Sequence, residues 1–116
     1  MPLLFLLFLL AMPSALWAEP LNCEQYPADE RGSCENAKRF GLSLNAARLV
    51  EGLAERDFAA SFCGAELAPA EKRQIESLLA PDPKWRALFS AHGQMLRERC
   101  IYDPASYCQS MGFGPR

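Results

Sequence analysis

Residues Ser43 to Cys63 read SLNAARLVEGLAERDFAASFC, and this stretch decides the fold class. Ala47, Val50, Leu53, Ala54, Phe58 and Phe62 recur at spacings of three and four residues. That is the period of a helix ridge, not the alternation of a strand. Ser43 suits an N-cap, because its hydroxyl can accept from an unpaired N–H of the first turn. Cys63-Gly64 suits the stop. The spacing predicts a helix over about Leu44 to Phe62, with Arg48, Glu51, Glu55 and Arg56 on its other sides, among other solvent-facing carboxylates such as Glu66, Glu71 and Glu76.

Further helices follow by the same signals. Pro69 fits the first turn of a helix over Pro69 to Leu79, where its missing N–H is unneeded, with Ile75, Leu78 and Leu79 on one face. Asp82-Pro83 pairs an N-cap with a proline at the first helical position. The helix it starts runs to about Arg99 and carries Trp85, Leu88, Phe89, His92, Leu96 and Cys100 on one stripe. Asp103-Pro104 repeats the signal for a short last helix. On the N-terminal side, Pro20, Pro27 and Gly32 make residues 19–32 read as irregular, with Ser33 capping a short helix to Phe40. Residues 111–116 hold two glycines and a proline and read as a frayed tail. From residue 19 onward the chain has one valine, two isoleucines and no threonine, so strand formers are nearly absent. The expected fold is all-α: a small disulfide-stapled bundle of four or five short helices.

Residues 1–18, MPLLFLLFLLAMPSALWA, read as a secretory signal peptide. An unbroken apolar run, Leu3 to Leu10, is followed by Pro13, small residues and a Leu-Trp-Ala cleavage site. Charge arrives at Glu19, and Pro2 and Pro13 interrupt the stretch, which falls short of the roughly 20 apolar residues of a spanning helix. Residues 19–116 then form a single domain that keeps the whole net charge of −2. Such a near-neutral chain has no basic field for nucleic acid or an anionic membrane. Arginine outnumbers lysine nine to three, a usage associated with GC-rich bacteria, so the expected compartment is a bacterial periplasm, otherwise the exterior.

All five cysteines lie beyond residue 18, and export favours their oxidation. Five is odd, so two bridges leave one thiol free or shared with a partner, including a disulfide-linked second copy. Short connections should make the three longer helices run up, down and up. The ends of the first and third then meet, which favours Cys63–Cys100. That bridge closes a loop of about 38 residues and stabilises by roughly 3–4 kcal/mol in the chain-entropy view. Cys34–Cys108 is the expected second bridge and Cys23 the expected free thiol, with Cys23–Cys34 and Cys100–Cys108 as alternatives.

No catalytic constellation assembles in the sequence. His92 is the only histidine and sits between Phe89 and Leu96, the pattern of a half-buried imidazole with one hydrogen bond. A thiol enzyme would need His92 with a free cysteine, and no motif around any cysteine supports it. Cys-x-x-Cys and Cys-x-x-Cys-His are both absent. His92 and Met95 lie three apart on one helix and cannot face each other across a haem iron. The cysteines are too scattered for zinc. No cofactor and no metal are expected. Trp85, Tyr102, Tyr107 and Phe113 are the aromatic candidates for contact with a partner, against the alternative that each anchors the core.

The segment Phe62-Cys63, Ala68-Pro69, Pro83, Arg86 and Cys100 resembles small periplasmic immunity proteins that neutralise cell-wall-degrading toxins. The resemblance covers under half the chain, and Gly64 stands where that family has a proline. It implies an inhibitor of an exported enzyme, a narrower form of the broader expectation: an exported, non-enzymatic module that binds another exported or envelope protein. Export makes a direct prediction. N-terminal sequencing of the native product should begin at Glu19, and a product beginning at Met1 would contradict the reading.

Overall fold

The computed structural model describes residues 21–114, so the signal segment and its cleavage site lie outside the described residues. A 3-10 turn, Cys23–Gln25, leads into five helices: α1 (Ala28–Phe40), α2 (Leu44–Phe62), α3 (Pro69–Leu79), α4 (Pro83–Glu98) and α5 (Pro104–Ser110). The described residues contain no strand. The all-α bundle with two disulfides expected from the sequence is what the chain forms.

The helix starts follow the capping chemistry. Ser43 Oγ accepts from the Ala46 N–H at 3.1 Å, Asp82 Oδ1 from Lys84 N–H at 2.8 Å, and Asp103 Oδ1 from Ser106 N–H at 3.1 Å. Each contact satisfies one donor that the first turn would otherwise leave unpaired. Gly41 ends α1 at φ 68°, a left-handed conformation that a side chain would strain. The turn lets the Leu42 N–H donate to the Ala37 carbonyl at 2.9 Å.

α1 begins six residues earlier than the sequence suggests. Ala28 to Gly32 is helical, not irregular, and Ser33 lies inside the helix. Asp29 and Glu30 occupy its first turn, where carboxylates complement the helix dipole. The cost of Gly32, about 1 kcal/mol in a helix interior, is offset by a tether. Cys34, fully buried, is bridged to Cys23 of the preceding turn, and Arg31 Nε donates to the Tyr26 carbonyl at 3.1 Å.

The core lies between α1, α2, α3 and α4. Ala37, Ala47, Val50, Ile75, Leu79 and Leu88 form its buried centre, with Phe40, Leu53, Trp85 and Phe89 packed around it. α2 is the central element, and its alanines let neighbours approach closely: Ala47, Ala54, Ala59 and Ala60 are all buried. α2 also has neighbours on flanks that its sequence marks as polar. Glu51, Glu55 and Glu71 are therefore half-buried and paired, not solvent-facing as expected.

The disulfides differ from the expected pairs. They are Cys23–Cys34 and Cys63–Cys108, with Cα separations of 5.4 and 5.8 Å, and Cys100 is the free, exposed thiol. Cys63–Cys100 and Cys34–Cys108 do not form, and Cys23 is not free. The reason is axial register. α2 and α4 do run in the same sense, since Glu51 meets His92 and, further along both, Glu55 meets Arg99 just past the end of α4. Cys63 lies twelve residues past Glu51, but Cys100 only eight past His92. α2 stays helical to Phe62, whereas α4 ends at Glu98 and Arg99 is extended, so α2 runs further past this contact than α4 does. α5 folds back over that overhang and brings Cys108 to Cys63.

The two bridges should contribute unequally. The chain-entropy relation assigns about 4 kcal/mol to Cys63–Cys108, with its sequence separation of 45, and about 3 kcal/mol to Cys23–Cys34, with a separation of 11. Denaturant unfolding of Cys63→Ala/Cys108→Ala and Cys23→Ala/Cys34→Ala should show the first variant losing more stability. The reverse order would refute the assignment of α5 as a stapled cover.

Candidate functional site

Two polar clusters flank α2. The first lies where α1, α2 and α4 meet. Glu51 on α2 accepts from Asn36 Nδ2 of α1 at 2.8 Å through its Oε2. The same oxygen lies 3.7 Å from His92 Nδ1 of α4, beyond hydrogen-bond reach. The side chains of His92 and Glu51 are 13% and 12% exposed. His92 Nδ1 and Glu51 Oε1 are buried and have no hydrogen-bond partner among the described residues. They border a surface hollow of about 410 Å³ that Asp29, Ser33, Arg48 and Glu55 also line. Arg48 is held by Glu30 at 2.7 Å. His92 is half-buried as expected from its stripe, but its buried Nδ1 lacks the hydrogen bond that the stripe position also implied, and its neighbour is a carboxylate that helical periodicity had placed at the surface.

The second cluster covers the overhang of α2. Glu55 Oε1 accepts from the Tyr107 hydroxyl at 3.1 Å and from Arg99 Nη2 at 3.2 Å. Arg99 also lies 5.5 Å from the centre of the Tyr107 ring, a cation–π distance. Tyr107 packs edge-on to Phe62 and tilted against Phe58. A turn away, Arg56 binds Glu71 at 2.6 Å, donates to the Met111 carbonyl and lies 4.4 Å from the centre of the Phe113 ring. The Arg56 hydrogen bond and charge hold the Glu71 carboxyl below its usual range. The Phe113 N–H donates to the Cys108 carbonyl at 2.9 Å. Met111 to Gly114 is therefore packed on α2, where the sequence suggested a frayed tail.

These contacts sort the four aromatic candidates. Trp85 packs on the core, Tyr107 and Phe113 cover α2, and all three are half-buried. Tyr102 alone stands wholly in solvent, at 101% relative exposure. It lies two residues after the exposed Cys100, in the non-helical connector between α4 and α5. Sequence pattern could not separate Tyr102 from Tyr107, because what distinguishes them is α5 folding back.

The thiol and the imidazole are not brought together. His92 lies beside Glu51 in the second half of α4, whereas Cys100 lies past the end of that helix. Among the described residues, no group of three or more His, Cys, Asp or Glu side chains is placed to hold a metal ion. No helix there is long and apolar enough to cross a membrane. No protein-family model, curated protein or solved structure matches this chain. The likeness to periplasmic immunity proteins rests on the quoted residues alone.

The Tyr107 cluster has a pH signature. Burial first, then the Glu55 charge and hydrogen bond, push the Tyr107 hydroxyl up from 10.0 to about 12. The folded state therefore holds this proton more tightly than the unfolded state. Its contribution is fully present below about pH 10 and is lost as pH rises toward 12. A tyrosinate absorbance titration should show a late step that Tyr107→Phe removes. If the variant kept that step, the Glu55–Tyr107 contact would be misassigned.

Proposed function

We propose that this chain is an exported, non-catalytic module that binds another exported protein through the connector Arg99 to Asp103. The carrying observation is the complete exposure of Tyr102 beside the free thiol of Cys100 on a connector anchored at both ends. Arg99 at its start and Tyr107 beyond its end both grip Glu55, and Asp103 caps α5. An aromatic side chain presented on a fixed backbone loses little conformational entropy on binding, which suits it to be an anchor.

Two disulfides point to an oxidising, extracytoplasmic setting, and the Arg-rich composition favours a bacterial periplasm. In that setting an exposed thiol can also form a mixed disulfide with a partner. Catalysis is disfavoured because His92 lies within α4, whereas the free thiol, Cys100, lies past the end of that helix.

Capture of a stoichiometric partner from the native envelope fraction tests the proposal. Tyr102→Ala should weaken capture by at least about tenfold, the effect of losing an interface anchor. Cys100→Ser should abolish any reductant-sensitive band with the partner while leaving the fold intact. A partner retained equally by Tyr102→Ala would place the interface elsewhere.

A further inference from the structure

The hollow between α1, α2 and α4 has walls made by two helix stripes. Asp29, Gly32 and Ser33 stand at spacings of three and four on α1, as Arg48, Glu51, Gly52 and Glu55 do on α2. Gly32 and Gly52 are helical, and neither has a positive φ. A methyl group at either position would meet no atom within 4 Å. Neither backbone conformation nor packing therefore calls for glycine there, although only proline is a poorer residue in a helix interior. The two glycines leave the hollow its full width.

The charge of the hollow is one-sided. Arg48 is matched by Glu30, and Glu55 by Arg99. Asp29 and Glu51 have no lysine or arginine within ion-pair distance among the described residues. Glu51 uses Oε2 for Asn36, while its Oε1 and His92 Nδ1 have no partner there.

We infer that this hollow binds an organic cation of the guanidinium class. Guanidinium carries N–H donors around a flat, weakly hydrated fork and has no acceptor. It therefore complements walls whose unmatched groups are two carboxylates and, in the tautomer protonated on Nε2, an imidazole nitrogen. Glu55 on the same stripe already accepts from the guanidinium of Arg99. A volume of about 410 Å³ holds such a group on a short alkyl chain. Glu51 Oε1 and His92 Nδ1 are buried, so their side chains turn toward the cation as it enters. At 3.7 Å these two side chains share no hydrogen bond, and the movement breaks none between them. The site uses neither Tyr102 nor Cys100, so it stands or falls apart from the connector interface.

A ¹H–¹⁵N NMR titration of the disulfide-bonded protein with methylguanidinium chloride tests this. Saturable shifts should appear at the Gly32 and Gly52 amides and at the His92 ring. Tetramethylammonium chloride, which has the charge but no N–H donor, should give none. Glu51→Gln should weaken binding by about tenfold or more, as loss of a charged hydrogen-bond acceptor does. Gly32→Leu/Gly52→Leu fills the hollow from both walls and should weaken binding by at least about tenfold. Leucine is a good helix former, so this variant should melt no lower than the parent, and its loss of binding is then no failure to fold. Blocked arginine, N-acetyl-arginine-N-methylamide, separates the sources of the cation. Binding as tight as that of methylguanidinium assigns an arginine side chain of a polypeptide, and exclusion assigns a free guanidino compound. Shifts that grow linearly without saturating, or that tetramethylammonium reproduces, would overturn the inference. So would a leucine variant that binds like the parent, or one that melts lower and so marks the glycines as structural.

Discussion

Because α2 stays helical to Phe62 while α4 ends at Glu98, the last turn of α2 needs a further cover, which α5 supplies. Phe58 and Phe62 lie on that overhang, and leaving them in water would forgo much of the stabilisation that burying aromatic surface brings. α5 is a seven-residue helix, too short to be stable alone in water. The Cys63–Cys108 bridge joins the two, and Glu55 and Arg56 add the polar contacts that set the angle at which α5 lies. The position of the tail, the exposure of the connector and the identity of the free thiol all follow from that one closure.

The polar contacts of α2 show a second consequence of a central helix. A helix packed on one side can keep its charges in solvent, but α2 has neighbours around most of its circumference. Its charged flank is matched residue by residue: Glu51 to Asn36, Glu55 to Tyr107 and Arg99, Arg56 to Glu71. Buried or half-buried charges are tolerated only with such partners. The Glu51–His92 approach is the least complete of them, since 3.7 Å is too long for a hydrogen bond and leaves the buried His92 Nδ1 without a partner among the described residues.

The cysteines divide the labour in this small stapled fold. One bridge fastens the N-terminal turn to α1 and allows that helix to begin at Ala28 despite Gly32. The other fastens the cover. The fifth cysteine stays at the surface on a connector that is anchored but not helical, beside the one wholly exposed tyrosine. That arrangement makes the connector the most presented feature of the molecule, and it supports the proposed binding role better than either polar cluster does.

By itself the sequence determined the helical class, four of the five helices and the chemistry of their ends. Those are local properties: periodicity of three and four, an Asp-Pro or Ser start and a glycine stop act within one turn of the residues that encode them. Helix direction was also legible, because short connections leave little choice. Only the tertiary structure decided which cysteines meet, because pairing depends on how far α2 and α4 extend beyond their contact and on where α5 folds back. Local signals carry no information about that difference. The same holds for Glu51, Glu55 and Glu71, whose surface-like spacing was overridden by neighbours distant in sequence, and for Tyr107 and Tyr102, identical side chains separated only by where α5 folds back.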